Sequence, residues 1–180
     1  MRIYTKAGDD GSTGLFLGGR VSKADVLIAA CGEIDEAVSV LGVARALADP
    51  DLAERVLSVQ RDLFVVAADV AANPRHRDRL QPGVSAVTAA MVERVEAMID
   101  GAVAQRPLRP AFVVPGGNSL SAALDHARTV VRRAERATVR LRLEGASVSD
   151  EVCGYLNRLS DLVFVLARGA AADEELPSHE

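Results

Sequence analysis

The sequence predicts an all-α fold, an antiparallel bundle of five helices preceded by a polar loop. Three observations carry that expectation. Apolar residues recur at spacings of three and four in five separate stretches, the links between them are rich in proline, glycine and capping residues, and no stretch alternates as a half-buried strand would. A chain of 180 residues with 49% hydrophobic residues can bury one substantial core, so residues 1–180 are expected to form a single domain. Within it, residues 1–23 make the loop, residues 24–171 the bundle, and residues 172–180 a polar tail expected to fray.

Each helix has its own signal. In "ADVLIAACGEIDEAVSVLGVARALA", Ile28, Cys31, Ile34, Val38, Leu41 and Ala44 mark the inner stripe of a first helix over 24–47, ended by Asp49 and Pro50. Asp51 can cap a second helix running to about residue 72, with Leu52, Val56, Val59, Leu63, Val66 and Val70 inward. "NPRHRDRLQPG" over 73–83 lacks periodicity and reads as an exposed connection open to disorder, with no chemistry expected in it. Val84, Val87, Ala90, Met91, Val95, Met98 and Ile99 mark a third helix. The prolines of "QRPLRP" then impose extended backbone, making "AFVVPGGN" a short extended stretch and a turn. Asn118 or Ser119 can cap a fourth helix through about residue 143, with Leu120, Leu124, Ala127 and Val131 buried. Ser149 or Asp150 can cap a fifth over 151–171, with Val152, Leu156, Leu159, Val163 and Leu166 inward.

Bulk properties narrow the function. A net charge of -4 offers no basic surface, which disfavours nucleic acid and membrane surfaces as partners and leaves a small, local ligand. Cys31 and Cys153 lie far apart without CxxC spacing, so neither a disulfide framework nor a zinc site is expected. The N-terminus has no apolar signal core, and runs such as "LVFVLA" fall well short of the roughly 20 residues that cross a bilayer. A soluble, cytoplasmic protein is the expectation.

Three constellations can carry chemistry. "YTKAGDDGSTG" (4–14) has the composition of a phosphate-cradling loop, in which glycine lets main-chain N–H groups approach an anion while Lys6, Ser12 and Thr13 add donors. It is neither a Walker A loop nor a dinucleotide fingerprint, and a flexible polar N-terminus is the plain alternative. The chain's only lysines, Lys6 and Lys23, lie in this region, where a compact ammonium serves differently from a guanidinium fork. In "RTVVRRAER", Arg128, Arg132 and Arg136 recur every four residues on one helix stripe with Glu135 beside them, and such a stripe repels itself unless an anion faces it. "NRLSD" interrupts the fifth helix with Asn157, Arg158 and Asp161, which need polar partners if buried. Glu33, Asp35 and Glu36 of "EIDE" are candidate partners for the arginine stripe. A bundle metal site would want Glu-x-x-His pairs, but Asn73, Ala123 and Leu176 precede His76, His126 and His179 at that spacing. No Ser-His-Asp or Cys-His arrangement is indicated, and both cysteines read as small core residues.

Taken in order, "RIYTKAGDDGSTGLFLGGRVSK", "FVVPGGNSLSAALDHARTVVRRAER" and "YLNRLSDLVFVLAR" resemble the PduO-type ATP:cob(I)alamin adenosyltransferases over nearly the whole chain. The resemblance implies a homotrimer of ferritin-like five-helix bundles with active sites between adjacent subunits. It places ATP on the N-terminal loop through Thr5, Lys6, Ala7, Gly8, Thr13, Gly14 and Lys23. It adds Arg132, Arg133, Ala134, Glu135, Arg136 and Asn157 from the bundle. Asp35 and Arg128 match a salt-bridged pair across the subunit interface, and Phe112 matches the aromatic that keeps the lower face of the corrin cobalt free of its nitrogen ligand. Lys6, Arg132, Arg128, Asp35 and Phe112 are the implied catalytic set. Mg²⁺ is expected through the ATP phosphates, without a protein ligand motif. The sequence departs from the commonest pattern at Ala7, where threonine is frequent, and at Asp125-His126, where histidine often stands one place earlier.

The implied reaction moves the 5′-deoxyadenosyl group of ATP onto the cobalt of cob(I)alamin, releasing triphosphate. A reductase that supplies cob(I)alamin and an enzyme dependent on adenosylcobalamin are the implied protein partners. Two other readings stand beside it: an ATP-responsive escort that delivers adenosylcobalamin without making it, and a structural bundle with a disordered N-terminus.

Overall fold

Four side chains set the helix starts by accepting main-chain N–H groups that would otherwise lack partners. Asp25 accepts from Leu27 N at the head of α1 (Val26–Leu47), and Asp49 from Leu52 N at the head of α2 (Pro50–Val70). Asn118 and Ser121 bond reciprocally, at 2.9 and 3.0 Å, at the head of α4 (Ser119–Leu143). Ser149 caps α5 (Asp150–Ala171). The cap of α2 is thus Asp49 and not Asp51: Pro50 needs no donor of its own and occupies the first turn, so the residues that end one helix also begin the next. The computed structural model describes residues 3–179; Arg2, in the N-terminal motif, and Glu180, at the end of the tail, lie outside the described residues.

α1 packs between α2 and α4, α4 packs on α5, and α5 packs on α3 (Ala89–Gln105). Ile34, Leu41, Leu63, Leu124, Leu156, Leu159 and Tyr155 are fully buried in the core. In α1 the seam is Leu27, Ala30, Ile34, Ala37, Leu41 and Ala44, with Ile28, Cys31 and Val38 flanking it, because the alanines let α1 approach its neighbours closely. Among the described residues, no helix is long and apolar enough to cross a membrane.

Three expectations are corrected. The 73–83 connection is ordered, with a 3-10 turn at Pro74–Arg79. Asp69, 2% exposed, holds it by accepting from the Arg77 guanidinium and from Val87 N at 2.8 Å. α3 therefore begins at Ala89, and Val84 is an exposed loop residue. The tail does not fray, because Leu176–Pro177 (β4) pairs antiparallel with Val113–Val114 (β3).

Candidate active site

The N-terminal segment folds as a hairpin of Ser12–Gly14 (β1) and Arg20–Ser22 (β2). Arg20 ties its two sides, donating to the Ser12 hydroxyl at 3.0 Å and to the Ala7 carbonyl. Lys23 donates to the Gly8 carbonyl at 2.8 Å, so this ammonium shapes the loop. A Cβ on Gly8 would lie 3.1 Å from the Ser12 carbonyl oxygen and 3.2 Å from Lys23 Nζ, which explains glycine there. The Ser12 hydroxyl and main-chain N–H both donate to Asp10 and hold its carboxyl below the usual value. Lys6 remains exposed, makes no ion pair among the described residues, and has φ 60°, a left-handed backbone that is costly outside glycine and concentrates in ligand loops. The hairpin docks on the end of α2: Phe16 N donates to Ala71 O, Asn73 N to Phe16 O, and the Asn73 side chain to Gly18 O, each at 2.9 Å.

On α4 the arginines divide into two groups. Arg128, Arg133, Arg140 and Arg142 have carboxylate partners within the chain, whereas exposed Arg132 and Arg136 have none among the described residues. Arg133 is clamped by Glu36 and Glu33, which hold its guanidinium above its ordinary pKa, so "EIDE" pairs with Arg133 and leaves the stripe free. Asp35 is exposed without an ion pair among the described residues, and Arg128 bonds Asp125 of its own helix at 3.2 Å. Ala134 is buried in the core, so its side chain cannot face a surface ligand. Asn157 donates to Glu135 at 3.0 Å, and Arg158 to Glu96 at 3.0 Å, while Asp161 is exposed and does not join them. Cys31 packs against the core, and burial pushes its thiol up to about 11.

Phe112 sits at the other end of the bundle, 85% exposed, next to β3. Beside it a cleft of about 290 Å³ is lined by Pro115, Gly116, Asp125, His126 and Arg128. Sequence reasoning missed the residues that support this end: buried Asp125, Arg168 and Glu175. The one visible signal was Arg168 inside an otherwise apolar run.

The loop lies at the end of the bundle where α4 finishes, and Phe112 lies near where α4 starts. With 25 residues in α4, the two are separated along the axis by roughly 36 Å. The loop also rests on α2, which shares no packing seam with α4. The larger grooves, about 580, 490 and 440 Å³, run mainly along α2, α3 and α5; the middle one is lined by Arg158 and Asp161, and none of the three contains a residue expected to meet ATP or the corrin.

Unpaired cations and a strained polar loop on the outside of a helix bundle define a protein that receives an anionic ligand at its surface. Residues 3–170 match the family described as cobalamin adenosyltransferase. The chain belongs to that family. It is 42% identical to a corrinoid adenosyltransferase of Mycobacterium tuberculosis, over 97% of this chain and 91% of the relative. It is 38% identical to one from Citrobacter freundii, over 93% of each. It superposes with a TM-score of 0.87 and 32% identity on a phenylalanine-to-alanine variant of the PduO-type ATP:corrinoid adenosyltransferase of Lactobacillus reuteri complexed with cobalamin and ATP, covering 99% of this chain and all of that one.

Proposed function

We propose that this chain transfers the 5′-deoxyadenosyl group of ATP to the cobalt of a reduced corrinoid, with each site completed by a second copy of the chain. The observation that carries the proposal is the pair of unpaired guanidiniums, Arg132 and Arg136, on a helix whose other arginines are compensated. They fit a triphosphate, as does the ammonium of Lys6. Thr13, Gly14 and the main chain from Thr5 to Gly8 belong to the same loop and hairpin as Lys6 and suit the rest of the nucleotide. Glu135, oriented by Asn157, is placed to accept from a nucleotide hydroxyl. Arg133 keeps its carboxylates and supports this surface from behind.

Cobalt(I) of the substrate donates an electron pair to the 5′ carbon, which becomes the cobalt–carbon bond, while the carbon–oxygen bond breaks and triphosphate leaves with the electrons of that bond. No side chain acts as nucleophile. The protein orients the carbon, stabilises charge on the departing triphosphate through Lys6 and Arg132, and presents Phe112 where a lower axial ligand would return. Mg²⁺ would arrive on the phosphate oxygens, since no cluster of three metal-ligating side chains exists among the described residues. Because the loop, the stripe and Phe112 are separated in one chain, a closed ring of copies, as in a trimer, supplies the complementary parts. The test is incubation of chemically reduced cobalamin with MgATP: adenosylcobalamin and triphosphate should form in equal amounts, and ATP binding without adenosylation would reject the catalytic reading in favour of an escort.

A further inference from the structure

Glu175 lies five residues from the end of the chain, yet is only 7% exposed. Its carboxylate faces Arg168 at 3.5 Å and Arg109 at 3.9 Å. Arg168 is 5% exposed and pairs through its other terminal nitrogen with buried Asp125, the residue that also accepts from Arg128. Arg106 bonds the carbonyl of Ala172, where the chain turns with φ 51°. Gly117 leaves room for the tail to cross, since a Cβ there would lie 2.8 Å from the Glu174 carbonyl oxygen. Past Glu175, β4 pairs with β3 and Ser178 N donates to Phe112 O at 2.8 Å.

Burying three charges to fasten a terminal segment adds less net stability than an apolar seam would, so the network is better explained by the geometry it fixes. That geometry is the backbone of Phe112, held from behind while its ring stays exposed. We infer that Arg168 and Glu175 are positioning residues for the corrin face of the site: their buried pair anchors the tail, and the tail holds Phe112. The inference rests on the reading that Phe112 meets the corrin.

Phe112→Ala, Glu175→Gln and Ser178→Pro, each loaded with cobalamin in the cobalt(II) state and ATP, are compared by electron paramagnetic resonance for the four-coordinate fraction, and by kcat and KM for ATP. Ser178→Pro removes the donor to Phe112 and fixes φ in a segment outside the helices, leaving the buried ion pair in place, so its helicity and Tm should match the parent even where Glu175→Gln folds poorly. Both tail variants should lower the four-coordinate fraction and kcat together by about 3- to 10-fold, Ser178→Pro through one lost hydrogen bond and Glu175→Gln through the loss of a charge from a 3.5 Å ion pair, with KM for ATP unchanged. The inference is overturned if Phe112→Ala loses the four-coordinate form while both tail variants keep it, or if KM for ATP rises as kcat falls. If Phe112→Ala itself keeps that form, the reading of Phe112 fails and takes the inference with it.

Discussion

Arg132 and Arg133 are adjacent in sequence and opposite in circumstance: one is exposed without a carboxylate, the other is clamped between Glu36 and Glu33. A charge-assisted contact to a leaving group is typically worth about 2 to 4 kcal/mol in the transition state, so Arg132→Ala should lower kcat by about 30- to 1000-fold. Circular dichroism and assembly should be unchanged, because among the described residues Arg132 has no partner to strand. Steady-state kinetics check this, and a larger loss at Arg133→Ala than at Arg132→Ala would reverse the assignment. Burial gives Cys31 a different test. Its thiol, raised from 9.0 to about 11, carries about 100-fold less thiolate near pH 8 than an unperturbed one. Iodoacetamide should therefore label Cys31 about 100-fold more slowly in the folded protein than after unfolding, as peptide mass spectrometry would read. The linked stability has a definite sign. The unfolded thiol loses its proton first, so Cys31 withdraws stability as pH rises from 9.0 toward about 11, and contributes no such dependence below that window.

Elements extend the argument from single charges to segments. The hairpin at 12–22 is bonded to Ala71 and Asn73 by main-chain contacts, whereas the described residues before 11 are tied to the hairpin and its flank by side chains, Arg20, Lys23 and Ser12, and by one main-chain bond from Gly11 N to Gly8 O. Limited proteolysis without nucleotide should cut before residue 11 and spare the hairpin, and MgATP should then protect the earlier residues. Cleavage throughout 3–22 that ATP does not alter would mean the loop has no ligand. The 73–87 segment depends on Asp69, and Asp69→Ala would leave Val87 N without its acceptor and the Arg77 guanidinium without its carboxylate, only the main-chain carbonyl of residue 69 remaining to it. A loss of about 3 to 5 kcal/mol is expected, measured by denaturant unfolding, together with lost hydrogen-exchange protection at Val87. These two segments also show what sequence can carry. In α2, α4 and α5 the inward residues read from spacing are buried, Leu52 and Leu120 only partly, since bulky aliphatics every three or four positions leave one face to cover; the buried face is wider than they mark, taking in Gln60, Ser121, Val130 and Tyr155 among others. In α1 the seam includes Ala30 and Ala37, whose small size is what the packing uses and what periodicity registers least. The connection and the tail were illegible for another reason: each is held by a buried charge, Asp69 or Glu175, whose partner meets it only in the folded chain. The motifs named candidate site residues, but not the division of one arginine-rich helix into paired and unpaired members.

At the scale of the whole molecule, the proposal requires parts far apart in one chain to make one site. Asp35 and Arg128 are expected to pair between copies; in the single chain Asp35 is exposed and Arg128 turns back to Asp125. Assembly would exchange one partner for another, while Asp125 keeps Arg168. A double-mutant cycle with Asp35→Asn and Arg128→Ala, read by sedimentation equilibrium, should show coupling of about 0.5 to 3 kcal/mol, and additive effects would deny the pair. The sharing of sites has a stricter test. Lys6→Ala and Arg132→Ala subunits are each expected to form assemblies of low activity. If a site takes its loop from one copy and its stripe from the next, mixed rings contain interfaces where an intact loop meets an intact stripe. With random mixing of equal amounts, a given interface has the right loop donor half the time and the right stripe donor half the time. About one quarter of parental activity should therefore return on unfolding the two variants together and refolding them. A site built within one chain returns none of it, because every chain in the mixture lacks either Lys6 or Arg132.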